Sequence, residues 1–162
     1  MNNYFIPPTA GSGPLPHQQY AQAVHAALVA ADAEPVEWYT YDSDDGMAAC
    51  YFFRPYAPEP RPDGTVPRTV RADVWWGHGV ELRWTEPDGW GFVPLDEHSE
   101  PAWDGVDPLP LPVLAAPDAV AAVAPLLLNG SPEDAEPSTA EWEHAAVQRA
   151  ALLEHDQRTA RR

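Results

Sequence analysis

The chain has 162 residues, enough for one domain with tails. Its formal net charge of −16 comes from 25 acids against nine bases, and every base is arginine. Such a surface repels a phosphate backbone and an anionic membrane leaflet, so neither nucleic acid nor membrane is expected as a direct partner.

Of twenty prolines, sixteen gather at 7–16, 55–67, 101–117 and 132–137, so ordered stretches are punctuated and flanked by segments that cannot pair regularly. The single cysteine, Cys50, excludes an intrachain disulfide and suits a reducing compartment. The opening "MNNYFIPPTAGSGPLP" has neither a basic n-region nor an apolar run, and apolar stretches such as "LPLPVLAAP" are short and broken by prolines. A soluble cytoplasmic protein is expected.

Residues 1–15 read as a flexible lead-in. From His17 the apolar positions Tyr20, Ala23, Val24, Ala27, Leu28 and Ala31 fall at helical spacing, with Pro16 placed to open the helix and Pro35 to end it. The period then changes to two. "PVEWYTY" sets Val36, Trp38 and Thr40 on one side and Glu37, Tyr39 and Tyr41 on the other. "DSDDG" supplies turn chemistry, and "MAACYFF" returns as the second strand of a hairpin.

After a proline loop, alternation resumes. Val70, Ala72, Val74 and Trp76 share one face, with Arg71, Asp73 and Trp75 on the other. "GHG" leads into Val80, Leu82 and Trp84 alternating with Glu81 and Arg83; "EPDG" turns the chain and "WGFVP" returns it. These three segments predict an antiparallel meander, apolar on one face and charged on the other. Residues 96–116 are proline-rich, acidic and assigned to loop.

"PDAVAAVAPLLLNG" predicts a second helix, with Pro117 at its first position, Gly130 past its end, and Pro125 inside to kink or split it. Residues 131–137 form a proline-rich acidic linker. "STAE" then has the form of a capping box, Ser138 as N-cap with Glu141 three residues on, opening a third helix to about Arg158. Its apolar stripe, Trp142, Ala146, Ala150 and Leu153, is thin. It could dock on the domain, pair with a second copy, or stand off as a tail.

The expected architecture is therefore α+β: an antiparallel sheet of about five strands, hairpin plus three-stranded meander, covered on one face by one or two helices. The domain spans 16–130, and an extra C-terminal helix occupies 138–162. The alanine-rich "QQYAQAVHAALVAA", the following "EPVEWY", "LRWTEPDGW" with its Trp84, Gly89 and Trp90 spacing, and "DAVAAVAPLLLNG" together resemble a family of small actinobacterial proteins known only as a domain of unknown function. The resemblance spans about two thirds of the chain. It implies no activity and supplies no catalytic residue.

Motifs for chemistry are missing. No H-x-H or HExxH occurs among the six histidines, so no metal site is expected. "DSDDG" starts like a calcium loop, but position twelve from Asp42 is Phe53 rather than glutamate. GxSxG, GxGxxG and GxxxxGK[ST] are absent, and no cofactor is expected. Cys50, set among alanines and aromatics, reads as a buried small hydrophobe, and His78 as a turn residue.

The functional expectation is a non-catalytic interaction module, inhibitor-like or immunity-like, that meets a basic protein. Asp42, Asp44, Asp45, Asp96, Glu97 and Glu100 would supply charge, with Trp75 and Trp103 as aromatic anchors. The competing expectation is a small-ligand binder or enzyme, with Trp38, Trp84 or Trp90 lining a pocket between sheet and helix.

Overall fold

The computed structural model describes residues 15–44, 46–55, 60–66, 69 and 77–162. Five antiparallel strands lie in sequence order: β1 (Glu37–Ser43), β2 (Gly46–Phe53), β3 (Val80–Thr85), β4 (Gly89–Pro94) and β5 (Asp107–Pro108). Three helices complete the α+β fold: α1 (Gln18–Ala30), α2 (Pro117–Leu128) and α3 (Ala145–Ala160).

The first hairpin forms as the alternation predicts, with Trp38 opposite Tyr51 and Ser43 opposite Gly46 across the turn. The second pairs Trp84 with Trp90. The two hairpins meet directly, because β2 pairs with β3 over Ala48–Phe53. Both neighbours of β3 are thus β2 and β4, not a strand at 70–76 as the meander reading supposed. Residues 70–76, including Trp75 and Trp76, lie outside the described residues, as does Asp45. The fifth strand comes instead from the acidic loop, where Pro108 pairs with Gly91. That approach is close: a Cβ at position 91 would sit 2.4 Å from Val106 and 2.7 Å from the Asp107 carbonyl, so only glycine fits.

One face of the sheet carries Trp38, Ala49, Tyr51, Leu82, Trp84, Trp90 and Phe92, and α1 and α2 cover it. Buried α1 residues (Tyr20, Val24, Leu28) and α2 residues (Val120, Ala124, Leu127) close the core. Each fully buried leucine or valine there contributes about 1.5–3 kcal/mol. Aromatic polar atoms are satisfied inside. The Trp84 indole donates to the Val113 carbonyl at 2.6 Å, and the Tyr51 hydroxyl to the Ala21 carbonyl at 2.7 Å.

Helix ends differ in detail from the pattern reading. His17 is the N-cap of α1, so Pro16 lies before the helix instead of opening it. Pro117 does open α2, and Pro125 is accommodated within one continuous helix. The supposed capping box does not cap. Ser138 accepts an N–H from Ala140, Glu141 bridges to Ala115, and α3 begins later at Ala145 with His144 as N-cap.

α3 docks through a face other than the expected stripe. Ala145, Gln148 and Leu152 are buried, while Ala146, Ala150 and Leu153 are exposed. Trp142, ahead of the helix, packs on Tyr20, and Gln148 donates to the Pro16 carbonyl at 2.7 Å. With one leucine and one alanine buried, the apolar gain is only about 2–4 kcal/mol before ordering entropy.

Candidate functional site

The strand register separates the expected acidic residues. Asp42 and Asp44 sit at the β1–β2 turn, which shares one end of the sheet with the β3–β4 turn. Asp96, Glu97, Glu100 and Trp103 follow β4 at the other end. Six residues of strand place the two groups roughly 20 Å apart. They do not form one patch.

At the β4 end, Asp96 organises a tight loop. Its carboxylate accepts the N–H groups of His98 at 2.8 Å and Glu100 at 3.0 Å, and its own N–H donates to the Glu100 carbonyl. Those backbone N–H groups, Glu100 first, hold the Asp96 carboxyl below its usual range. A cleft of about 320 Å³ opens beside it, with Pro94, Leu95, Ala102 and Trp103 in its lining. Asp96, Glu97 and His78 complete its lining. Three of the expected site residues therefore converge here; Glu100 borders the loop without lining the cleft.

His78 reaches this cleft because of its neighbour. Gly79 has φ +125°, and a Cβ there would lie 2.5 Å from the Phe53 carbonyl. The turn is possible only with glycine, and it leaves the His78 ring exposed.

Five of the arginines are engaged elsewhere, and the nearest basic group to these carboxylates among the described residues is His98, whose Nε2 lies 3.5 Å from Glu97 Oε1. Arg54 pairs with Glu37, Arg61 with Asp32 and Glu34, Arg83 with Glu81, Arg149 with Glu141, and Arg158 with Glu154. Among the described residues, no arginine meets Asp96, Glu97 or Glu100.

The sheet face away from α1 and α2 carries a second feature. Arg83 donates Nε and Nη2 to Glu81 at 2.7 and 2.9 Å, and Glu81 is buried. That bidentate pair, chiefly through the hydrogen bonds to Glu81, raises the guanidinium further above its ordinary value. Arg83 and Tyr41 line a groove of about 590 Å³. Partial burial pushes the Tyr39 and Tyr41 phenols up to about 12. Cys50, on the same face, is buried as expected, and desolvation pushes its thiol up.

At the turn end lies a cavity of about 500 Å³, lined by Asp42, Asp44, Glu86, His155 and Asp156 among others. Glu86, His155 and Asp156 were not legible as a group, because only tertiary docking brings 86 to 155–156. No set of three or more acidic, histidine or cysteine side chains among the described residues is arranged to hold a metal.

Comparison with protein-family models, with curated proteins and with solved structures returned no match. No described helix is long and apolar enough to cross a membrane.

Proposed function

We propose that the protein is a non-catalytic interaction module that receives basic side chains of a protein partner at the β4 end of its sheet. The observation that carries this reading is the cleft lined by both acidic residues, Asp96 and Glu97, and apolar ones, among them Leu95, Ala102 and Trp103. A lysine or arginine needs both parts: an apolar wall for its stem and an acceptor for its head. The net charge of −16 would speed encounter with a basic partner and repel nucleic acid and anionic lipid.

Titration with a deca-arginine peptide tests it, read by calorimetry at low and moderate salt. Glu97→Gln combined with Trp103→Ala should weaken binding by about tenfold, equivalent to about 1.4 kcal/mol. Asp42→Asn with Asp44→Asn removes more charge at the other end and should matter less. Equal losses at both ends would mean diffuse attraction and would defeat the cleft.

The competing small-ligand reading moves to another place. Between sheet and helices, Trp84 and Trp90 are buried with their indole N–H groups already bonded inside the protein. Trp38 is stacked between His25 and Tyr51. What favours a ligand is the groove at Arg83, whose guanidinium, among the described residues, keeps N–H donors beyond the two given to Glu81. Benzoate, with benzylamine as control, is the probe: chemical-shift changes at Arg83 with benzoate alone would support it, and none with either would remove it.

A further inference from the structure

Among the described residues, β1 is the first strand of the sheet and has a neighbour on one side only, β2. It runs for seven residues, "EWYTYDS", with no proline and no basic side chain along it to blunt that edge. In an antiparallel ladder alternate residues direct their N–H and C=O groups away from the neighbouring strand. β1 therefore offers a row of backbone donors and acceptors on its outer side.

The helix above this edge is unusual for the chain. α1, "QQYAQAVHAALVA", has no charged residue, in a protein with 25 acids and nine bases. It lies over both β1 and β2. Gln18 accepts the Thr40 hydroxyl proton at 2.6 Å, His25 stacks on Trp38, and the Ala21 carbonyl takes the Tyr51 hydroxyl. Those contacts set Gln18 and His25 on the β1 side of the helix, and Gln22 and Val29, both exposed, continue the same stripe at helical spacing. The stripe and the middle of β1, Trp38 to Tyr41, carry no charge. Depletion of charge marks the centre of a protein interface.

We propose that β1 pairs antiparallel with β1 of a second copy of this chain, forming a two-fold dimer centred on Thr40. That register engages the whole strand: Glu37 lies opposite Ser43 of the second copy, Trp38 opposite Asp42, Tyr39 opposite Tyr41, and Thr40 opposite itself. No acid faces an acid, and the same surface meets itself, as a two-fold axis requires. Within one chain the Tyr39 and Tyr41 rings are 5.8 Å apart. Across the axis they add aromatic cross-strand pairs on the face away from α1.

The helices fit the same arrangement. Strands are spaced about 4.8 Å, so a helix above the gap between β1 and β2 lies about 5 Å from the axis, and the two copies of α1 lie about 10 Å apart. That is an ordinary distance for packed helices. Gln18, Gln22, His25 and Val29 fill the contact without bringing charge into it. The cleft at Asp96 and Trp103 follows β4, away from this edge, so each copy keeps its own and the dimer presents two.

Sedimentation equilibrium of the full chain, from about 1 µM to about 1 mM, tests the pairing. The parent protein should approach twice the chain mass at the upper end, with amide exchange in β1 slowing as concentration rises. Thr40→Lys sets lysine against lysine at the axis, and Gln22→Glu sets carboxylates facing across the helix contact. Each should weaken association by about tenfold or more, because like charges opposed at an interface are costly. Gln22 is exposed and glutamate is a good helix former, so that variant decides the matter even where Thr40→Lys upsets the strand. Leu153→Glu, on the exposed side of α3, controls for pairing through the C-terminal helix and should leave the dimer unchanged. A parent protein that stays monomeric overturns the proposal. So does a dimer that either of the first two variants, when folded, leaves intact, or that Leu153→Glu dissolves.

Discussion

Trp90 donates its indole N–H to the Tyr20 hydroxyl at 3.0 Å, and Tyr20 donates in turn to the Ala115 carbonyl at 2.7 Å. This chain joins β4, α1 and the segment before α2 through one buried oxygen. Burial accordingly pushes the Tyr20 phenol up.

Removing that oxygen while keeping the ring should be expensive for its size. Tyr20→Phe leaves a buried indole N–H and a buried carbonyl unpaired, and the expected loss is about 2–3 kcal/mol. Urea unfolding of the variant measures it. A loss under half a kcal/mol would mean that water or a neighbour replaces the hydroxyl.

A buried imidazole should make folding pH-dependent. His17 stacks on Trp84, with Nε2 2.7 Å from the Ala48 carbonyl, which assigns the proton to Nε2. Nδ1 is buried with no hydrogen-bond partner among the described residues. Desolvation lowers the His17 pKa below 6.5, so in acid the unfolded chain takes up its proton first. The contribution is therefore present above pH 6.5 and lost as pH falls toward and through the lowered value. Unfolding free energies measured from pH 7.5 to 5 should decline for the parent protein. They should decline less steeply for His17→Phe, the residual slope including His25, which burial also lowers.

The ion pairs should divide by burial. Arg83→Ala strands the buried Glu81 carboxylate and should cost about 3 kcal/mol, the lower end for an orphaned buried charge because Arg83 is itself a quarter exposed. Arg158→Ala, whose partner Glu154 is solvated, should cost no more than about 0.5 kcal/mol. Chemical denaturation of the two variants side by side decides it, and similar losses would refute the distinction.

Cys50 should resist modification. Its buried thiol is held protonated by desolvation, with Glu81 adding to the effect. An aromatic disulfide reagent at pH 8 should leave the folded protein unlabelled and label one equivalent in denaturant. Rapid labelling of the native protein would contradict the burial.

The sequence carried much of this architecture because both hairpins and α2 are written in local period. Val80, Leu82 and Trp84 alternate inward regardless of which strand lies beside them. The adjacency of β2 and β3 is another matter, since pairing across the 26 residues between Phe53 and Val80 leaves no local trace. β5, at two residues, has no period to read. The buried face of α3 is not legible in the sequence because Ala145, Ala146, Ala150 and Ala151 give more than one stripe of similar apolarity, and Gln148 reaching Pro16 lies on the buried one. At the site, Asp96, Glu97 and Trp103 were singled out by composition, and their convergence follows from the turn after β4. His17 carried no mark of its burial, because that depends on the Trp84 ring, 67 positions away, lying over it.

The brevity of β5 has a consequence for the protein in a crowded solution. Sheets polymerise when a bare border strand offers a ladder of amide groups to a neighbouring molecule. Here the border at β5 is Asp107 and Pro108. Proline presents no N–H to such a ladder, and aspartate meets its own copy with like charge, so fibrous stacking finds no template along that side.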